Sequence, residues 1–232
     1  MIARLDHRAP VGGRNRVLLV MLPGAGIAAG AFADHGMVDA VHGRGLAVDI
    51  VATDPGLGLY LDGGFAPALH RAIVEPALAQ GYSRIWLLGI SLGGMGALLY
   101  ASAHADRVEG LILLAPFLGT QGTVAEIAAA GGLASWSVSG SAATIPEIRM
   151  LAWLQDVLAR RPARPALYLG HGRDDRFARG HRMLAECLPP RRVVTAPGGH
   201  DWATWLILWR RLLDASPFAA PTLDGDAARR IS

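Results

Sequence analysis

The stretch RIWLLGISLGG, residues 84–94, decides how this chain is read. Arg84–Ile90 is apolar with little alternation, as a strand buried on both faces must be. Leu92–Ala103, on the other side of the serine, is dense in Ala and Gly and suits a helix packed close to a sheet. Ser91 stands at the junction, with Gly89 and Gly93 two positions either side. This G-x-S-x-G, with strand before and helix after, has the context of a nucleophile elbow. Small flanking residues let the chain turn sharply and leave the serine hydroxyl exposed. The helix that follows offers free N–H groups to developing negative charge.

Five more segments read as strands: Arg16–Pro23, Leu46–Asp54, Val108–Pro116, Ala166–Gly170 and Arg191–Ala196. Most are Val-, Ile- and Leu-rich without alternation, and helical patterns separate them. Phe65, Leu69 and Ile73 recur every four residues, and Pro76 is expected to kink or end that helix. Thr144-Ile-Pro-Glu147 and Thr123-Val-Ala-Glu126 have capping-box spacing and predict two helix starts. Trp202, Trp205 and Trp209 share one face of a last helix and read as core packing. The alternation predicts an α/β chain with a mostly parallel, doubly wound sheet. One domain is expected over residues 1–214, followed by a loose tail, 215–232, rich in Ala, Pro, Asp and Arg. Such sheets bind ligands at the carboxyl ends of their strands.

Composition narrows the function. With 52% hydrophobic and 18% charged residues, the chain can bury a large core and is not intrinsically disordered. No apolar run approaches the ~20 residues a membrane-spanning helix needs. All 22 basic residues are Arg, but they form no long basic block, and a net charge of +3 gives little support for nucleic-acid binding. Arg160, Arg161 and Arg164 read as a helix end. One cysteine, Cys187, excludes an intrachain disulfide and a Cys-based metal site. The opening MIARLDHRAP lacks the apolar stretch of a signal peptide, and a cytoplasmic location is expected.

A serine hydroxyl is a weak nucleophile until a base takes its proton and a carboxylate orients the base. The fifth strand runs into His171-Gly-Arg-Asp174-Asp175-Arg-Phe177, and the sixth into Pro197-Gly-Gly-His200-Asp201-Trp202. Both lie after Ser91 and at the expected sheet edge. His200 is the candidate base, and Asp174 and Asp175 are the candidate acids. Asp201 reads as a cap of the last helix. His171, Asp174, His181 and His200 are also conceivable metal ligands, but a triad accounts for two of these neighbourhoods without a metal. Asp54, Tyr60 and Asp62 follow the second strand, where turn chemistry explains the acids.

GISLGG, HGRDD and GGHDW, with ADRVEGLILLAP between them, resemble the α/β-hydrolase superfamily over roughly residues 16–214. GISLGGMGAL and GGHDWATW are similar to its serine esterases. The resemblance implies a Ser–acid–His order along the chain. It places the acid three residues after a glycine, which from Gly172 is Asp175. It also implies backbone oxyanion donors, assigned to Ala25 in the Pro23-Gly24-Ala25-Gly26 loop and to Leu92. Where many members have His-Gly, this chain has Pro-Gly, so the position of the first donor is open. The short N-terminal region implies a trimmed sheet of six or seven strands. Residues 119–143 form a small insertion after the fourth core strand, with Ile127, Leu133, Trp136 and Val138 as apolar anchors, and read equally as a small lid or as packed loop.

The expected activity is serine-dependent hydrolysis of a small-molecule carboxylic ester by a carboxylesterase-type enzyme, through an acyl-enzyme and with no cofactor or metal. Two other readings stay open: an acyltransferase or thioesterase on the same triad, and a non-catalytic protein of this fold that binds a ligand.

Overall fold

The computed structural model describes residues 2–10, 17–137, 145–160, 164–215 and 217–218. Arg16, Val138, Thr144, Arg161 and the tail beyond 218, all singled out above, lie outside the described residues. Among the described residues seven strands form one sheet: β1 (Ala3–His7), β2 (Val17–Leu22), β3 (Val48–Asp54), β4 (Arg84–Ile90), β5 (Gly110–Leu114), β6 (Ala166–Gly172) and β7 (Val193–Ala196). Their order is β1-β3-β2-β4-β5-β6-β7. β1 pairs antiparallel with β3, and every other pairing is parallel. β1 is thus the one strand added to the six read from the sequence. Pairings such as Leu22 with Gly89, Ile90 with Leu114 and Gly172 with Ala196 bring the carboxyl ends of five strands to one edge.

Successive side chains of a strand face opposite ways, and the sheet has a core on each side. Leu18, Val20 and Leu22 enter one core with Leu87, Leu111 and Leu113; Val17, Leu19 and Met21 enter the other with Trp86, Leu88 and Ile112. Each such side chain contributes about 1.5–3 kcal/mol of burial. The helices are α1 (Ala31–Asp34), α2 (Met37–His42), α3 (Leu57–Leu61), α4 (Phe65–Leu69), α5 (Glu75–Ala79), α6 (Leu92–Ala103), α7 (Gln121–Ala129), α8 (Pro146–Arg160), α9 (Ala178–Ala185) and α10 (Trp202–Asp214). The first core takes side chains from α4, α6 and α8, and the second from α2 and α10. The tryptophan stripe is packed as expected: Trp205 and Trp209 are buried, and the Trp209 indole donates to the Met37 carbonyl at 2.9 Å.

Two helices depart from the sequence reading. Of the kink or end expected at Pro76, the end does not occur: the segment that begins at Phe65 stays helical through Ala79. The backbone widens into a π turn over His70–Val74, directly ahead of the proline, and α5 continues from there. The widened turn absorbs the missing N–H and the ring. The helix expected to open at Thr123 instead opens at Gln121, capped by Thr120, whose hydroxyl accepts from the Thr123 N–H at 3.1 Å. Glu126 does not reach back to the cap; it accepts from the Trp136 indole at 3.0 Å. Within 119–137, the anchors Ile127, Leu133 and Trp136 are buried in the same core as Met150, Leu151 and Leu154 of α8.

One buried histidine ties α9 to the carboxyl edge of the sheet. His181 is fully buried, and its Nε2–H donates to the Pro116 carbonyl, just past β5, at 3.0 Å. Its Nδ1 is buried without a hydrogen-bond partner among the described residues. Burial lowers its pKa to about 4; Asp175 and the Pro116 carbonyl oppose that shift, and His171 and His200 add to it. The folded protein therefore keeps this ring neutral where the unfolded chain, with an ordinary value of 6.5, takes up a proton. Stability present above pH 6.5 is then lost as pH falls toward 4, by on the order of 3 kcal/mol from this group. Denaturant unfolding measured across that window should show His181→Gln with a shallower acid loss than the parent, whatever its absolute stability. Parallel pH profiles would contradict this.

Candidate active site

Ser91 occupies the turn between β4 and α6 with φ 52° and ψ −115°, a region a residue with a Cβ enters only under constraint. The constraint is close packing. A Cβ on Gly89 would lie 2.2 Å from the Gly93 carbonyl oxygen, and one on Gly93 would lie 2.0 Å from that of Leu22. A Cβ on Gly94 would meet the Pro116 ring at 2.7 Å. Glycine at all three positions lets α6 start against the ends of β2 and β5. The turn is then pinned by its own backbone: the Ser91 N–H donates to Leu114 O at 3.0 Å, and Ser91 O accepts from Gly94 and Phe117, both at 2.9 Å. Ala115, between those anchors, is itself held at φ 46°.

The loops after β6 and β7 converge on the serine. His200 Nε2 lies 2.9 Å from Ser91 Oγ, and His200 Nδ1 lies 2.8 Å from Asp175 Oδ2. A neutral imidazole in this place donates from Nδ1 to the carboxylate and accepts the serine hydroxyl at Nε2. The Asp175 side chain is wholly buried and that of His200 nearly so. Burial pushes the Asp175 carboxyl up, but bonds from His200 and from the Phe177 N–H outweigh it and hold the pKa below the ordinary value. Asp175 is therefore a carboxylate at neutral pH. The imidazole is braced edge-on by Phe177 and Trp205, each with its ring centroid 5.1 Å away.

Neighbouring polar residues have other partners. Asp174 is exposed, and its carboxylate accepts from the Gly198 N–H at 3.1 Å, joining the two loops. Asp201 caps α10 by accepting from Thr204 N–H at 2.9 Å. His171 is buried, with Nδ1 3.0 Å from the Gly172 carbonyl and its ring beside His181. A Cβ on Gly172 would fall 2.2 Å from Gly198 O, so the HGRDD and GGHDW loops lie backbone to backbone.

The Pro23–Gly26 loop turns beside the serine. Ile27 N–H donates to Gly24 O at 3.2 Å across Ala25 and Gly26, and Gly26 has φ 72°. A Cβ on Gly24 would lie 3.4 Å from Ser91 Cβ. Among the described residues, no protein acceptor takes the N–H of Ala25 or of Leu92. Both residues line a cleft of about 370 Å³ with Ile27, Asp54, Leu57 and Tyr60. Asp54 and Tyr60 therefore reach this cleft, whereas Asp62 caps the far end of α3. Sequence reasoning named His181 only as a conceivable metal ligand beside His200, and it gave no role here to Phe177 or Trp205. Trp205 was visible only as part of an apolar stripe, and nothing local marked Phe177.

A family model described as serine aminopeptidase, S33, matches residues 70–171, a span that includes Ser91 and stops before Asp175 and His200. Among solved structures, Est1E from Butyrivibrio proteoclasticus superposes with a TM-score of 0.64 at 17% identity, covering 94% of this chain and 95% of its own. An S-formylglutathione hydrolase from Staphylococcus aureus gives 0.62 at 14% identity, covering 94% and 96%. Fluorophosphonate-binding serine hydrolase F of the same organism gives 0.60 at 13%, covering 94% and 98%. No curated protein matches the sequence. At these identities the structural likeness carries the fold, and no helix among the described residues is long and apolar enough to cross a membrane. The chain thus has the α/β-hydrolase fold.

Proposed function

We propose that this protein is a serine hydrolase of the carboxylesterase type, acting on small-molecule esters. The observation that carries the reading is the continuous line from Ser91 Oγ through both nitrogens of His200 to the buried Asp175 carboxylate. A surface histidine has no need of a buried anion behind it. Here the anion fixes the tautomer that leaves Nε2 free to accept a proton. The fold neighbours that are hydrolases by name support the same chemistry.

In the proposed reaction, Ser91 Oγ attacks the ester carbonyl carbon as its proton passes to His200 Nε2. The N–H groups of Ala25 and Leu92 donate to the oxyanion, and Asp175 stabilises the imidazolium. The carbon–oxygen bond to the alcohol breaks, and His200 returns the proton to that oxygen. Water then attacks the acyl-Ser91, giving a proton to His200. Ser91 leaves with that proton as the acid is released. Every proton is handled by the protein's own groups, and no step calls for a metal or cofactor.

Ser91→Ala should fold normally and lose several powers of ten in turnover of p-nitrophenyl acetate. A residue of roughly 10³–10⁴ over water should survive from oxyanion contacts. Retention of about a tenth of parental turnover would remove Ser91 from the role. The adjacent acids should separate cleanly. Asp175→Asn permits the wrong imidazole tautomer and should cost about 10⁴ in kcat near neutral pH. Asp174→Asn touches only the Gly198 contact and should cost less than about tenfold. The reverse order would make Asp174 the orienting acid.

A further inference from the structure

A second pocket, of about 320 Å³, opens at the same sheet edge between the β5–α7 connection, α7 and the start of α9. Its apolar walls are Leu118, Val124 and Phe177, and its polar groups are Gln121, Arg176 and Arg179. The Phe177 ring that forms one wall is the ring packed on His200. Among the described residues, neither guanidinium pairs with an acid. The local carboxylates are engaged elsewhere: Asp175 on His200 and Phe177 N–H, Asp174 on Gly198 N–H, and Glu147 on Thr123 and Thr120. Arg176 is held over the face of Phe177, 4.9 Å from its centroid, which orients the cation at the rim while leaving its N–H edges free. The cleft at Ala25 and Leu92 has the opposite character, with Asp54 and no cation in its lining.

This asymmetry assigns the two arms of an ester. His200 returns its proton to the leaving oxygen, so the alcohol departs on the side of the imidazole. The pocket next to the imidazole, behind Phe177, is the cationic one. The acyl arm then lies in the cleft with the oxyanion donors. Resting on the hydrolase reading above, we propose that the substrates are esters whose alcohol portion carries a carboxylate, seated on Leu118, Val124 and Phe177 and held at its far end by Arg176 and Arg179. Arginine's planar fork pairs with a carboxylate at two oxygens, and a desolvated wall strengthens that pairing.

The test compares 4-acetoxybenzoate with its methyl ester, in which a methyl group caps the carboxylate and removes its charge; release of acetate is followed, so that cleavage at the methyl end is not counted. The methyl ester has the better leaving group, so a preference for the carboxylate cannot come from reactivity. The parent should favour 4-acetoxybenzoate in kcat/KM by about tenfold or more, the scale of one charge-assisted hydrogen bond. Rising salt should erode the preference, and in Arg176→Ala/Arg179→Ala the ratio should collapse toward unity through KM. Equal kcat/KM for the two esters in the parent, or an unaltered ratio in the double variant, would overturn the proposal. Calorimetric titration with 4-hydroxybenzoate separates the pocket from the chemistry. If neither ester turns over, the hydrolase reading falls, while binding that weakens about tenfold in the double variant keeps the anion site. Equal binding by parent and variant, or none to the parent, removes the site.

Discussion

The steric fit at the turn after β4 governs everything else at this edge. Ser91 sits at a positive φ that costs on the order of 1–3 kcal/mol unless its surroundings hold it there. They do so by contact with backbone. Gly89 and Gly93 face each other and the Leu22 carbonyl with no room for a Cβ, and Gly94 fits against Pro116. The strained turn is therefore the consequence of a helix packed as close to a sheet as backbone allows. It presents the hydroxyl to His200 Nε2. It also leaves the Leu92 N–H without a protein acceptor among the described residues, which is the state an oxyanion donor needs.

From that fixed point the remaining groups are delivered by strand register. Parallel pairing sets the ends of β4, β5, β6 and β7 side by side, so loops far apart in sequence meet over Ser91. Asp175 and His200 come from adjacent strand ends and are locked to each other by the close approach of Gly172 and Gly198. Two further bonds tie these loops and α9 down: exposed Asp174 bonds one loop to the other, and buried His181 bonds α9 to Pro116, two residues beyond the last pairing of β5. Pro116 in turn packs on Gly94, so α9 and the elbow share one support.

How much of this was legible in the sequence depended on whether the cause was local. Doubly buried strands announce themselves as unbroken apolar runs, and six of the seven could be read that way. The elbow and the two loops that follow it carry their residues in short, ordered motifs, so Ser91, Asp175 and His200 could be picked out before any contact was seen. Two helix details could not. Pro76 reads as a kink or an end because propensity is local, yet the segment stays helical past it, with a π turn ahead of the proline and Ile73, Val74 and Ala77 buried on either side. Two threonines three apart, Thr120 and Thr123, offer competing caps, and only the position of Glu147 and Trp136 makes the first one win. Phe177, Arg176 and Arg179 look like ordinary loop residues because their meaning lies in what α7 and β5 bring opposite them.

The account's central claim is that Ser91 is a nucleophile activated by His200. Its most direct measurement is reaction with a fluorophosphonate, followed by mass spectrometry of the modified peptide. The account predicts one phosphonyl group per chain, on Ser91, in the folded protein, and loss of that reaction in His200→Ala. A folded protein that stays unlabelled, a label on another residue, or labelling of Ser91 at parental rate without His200 would contradict it.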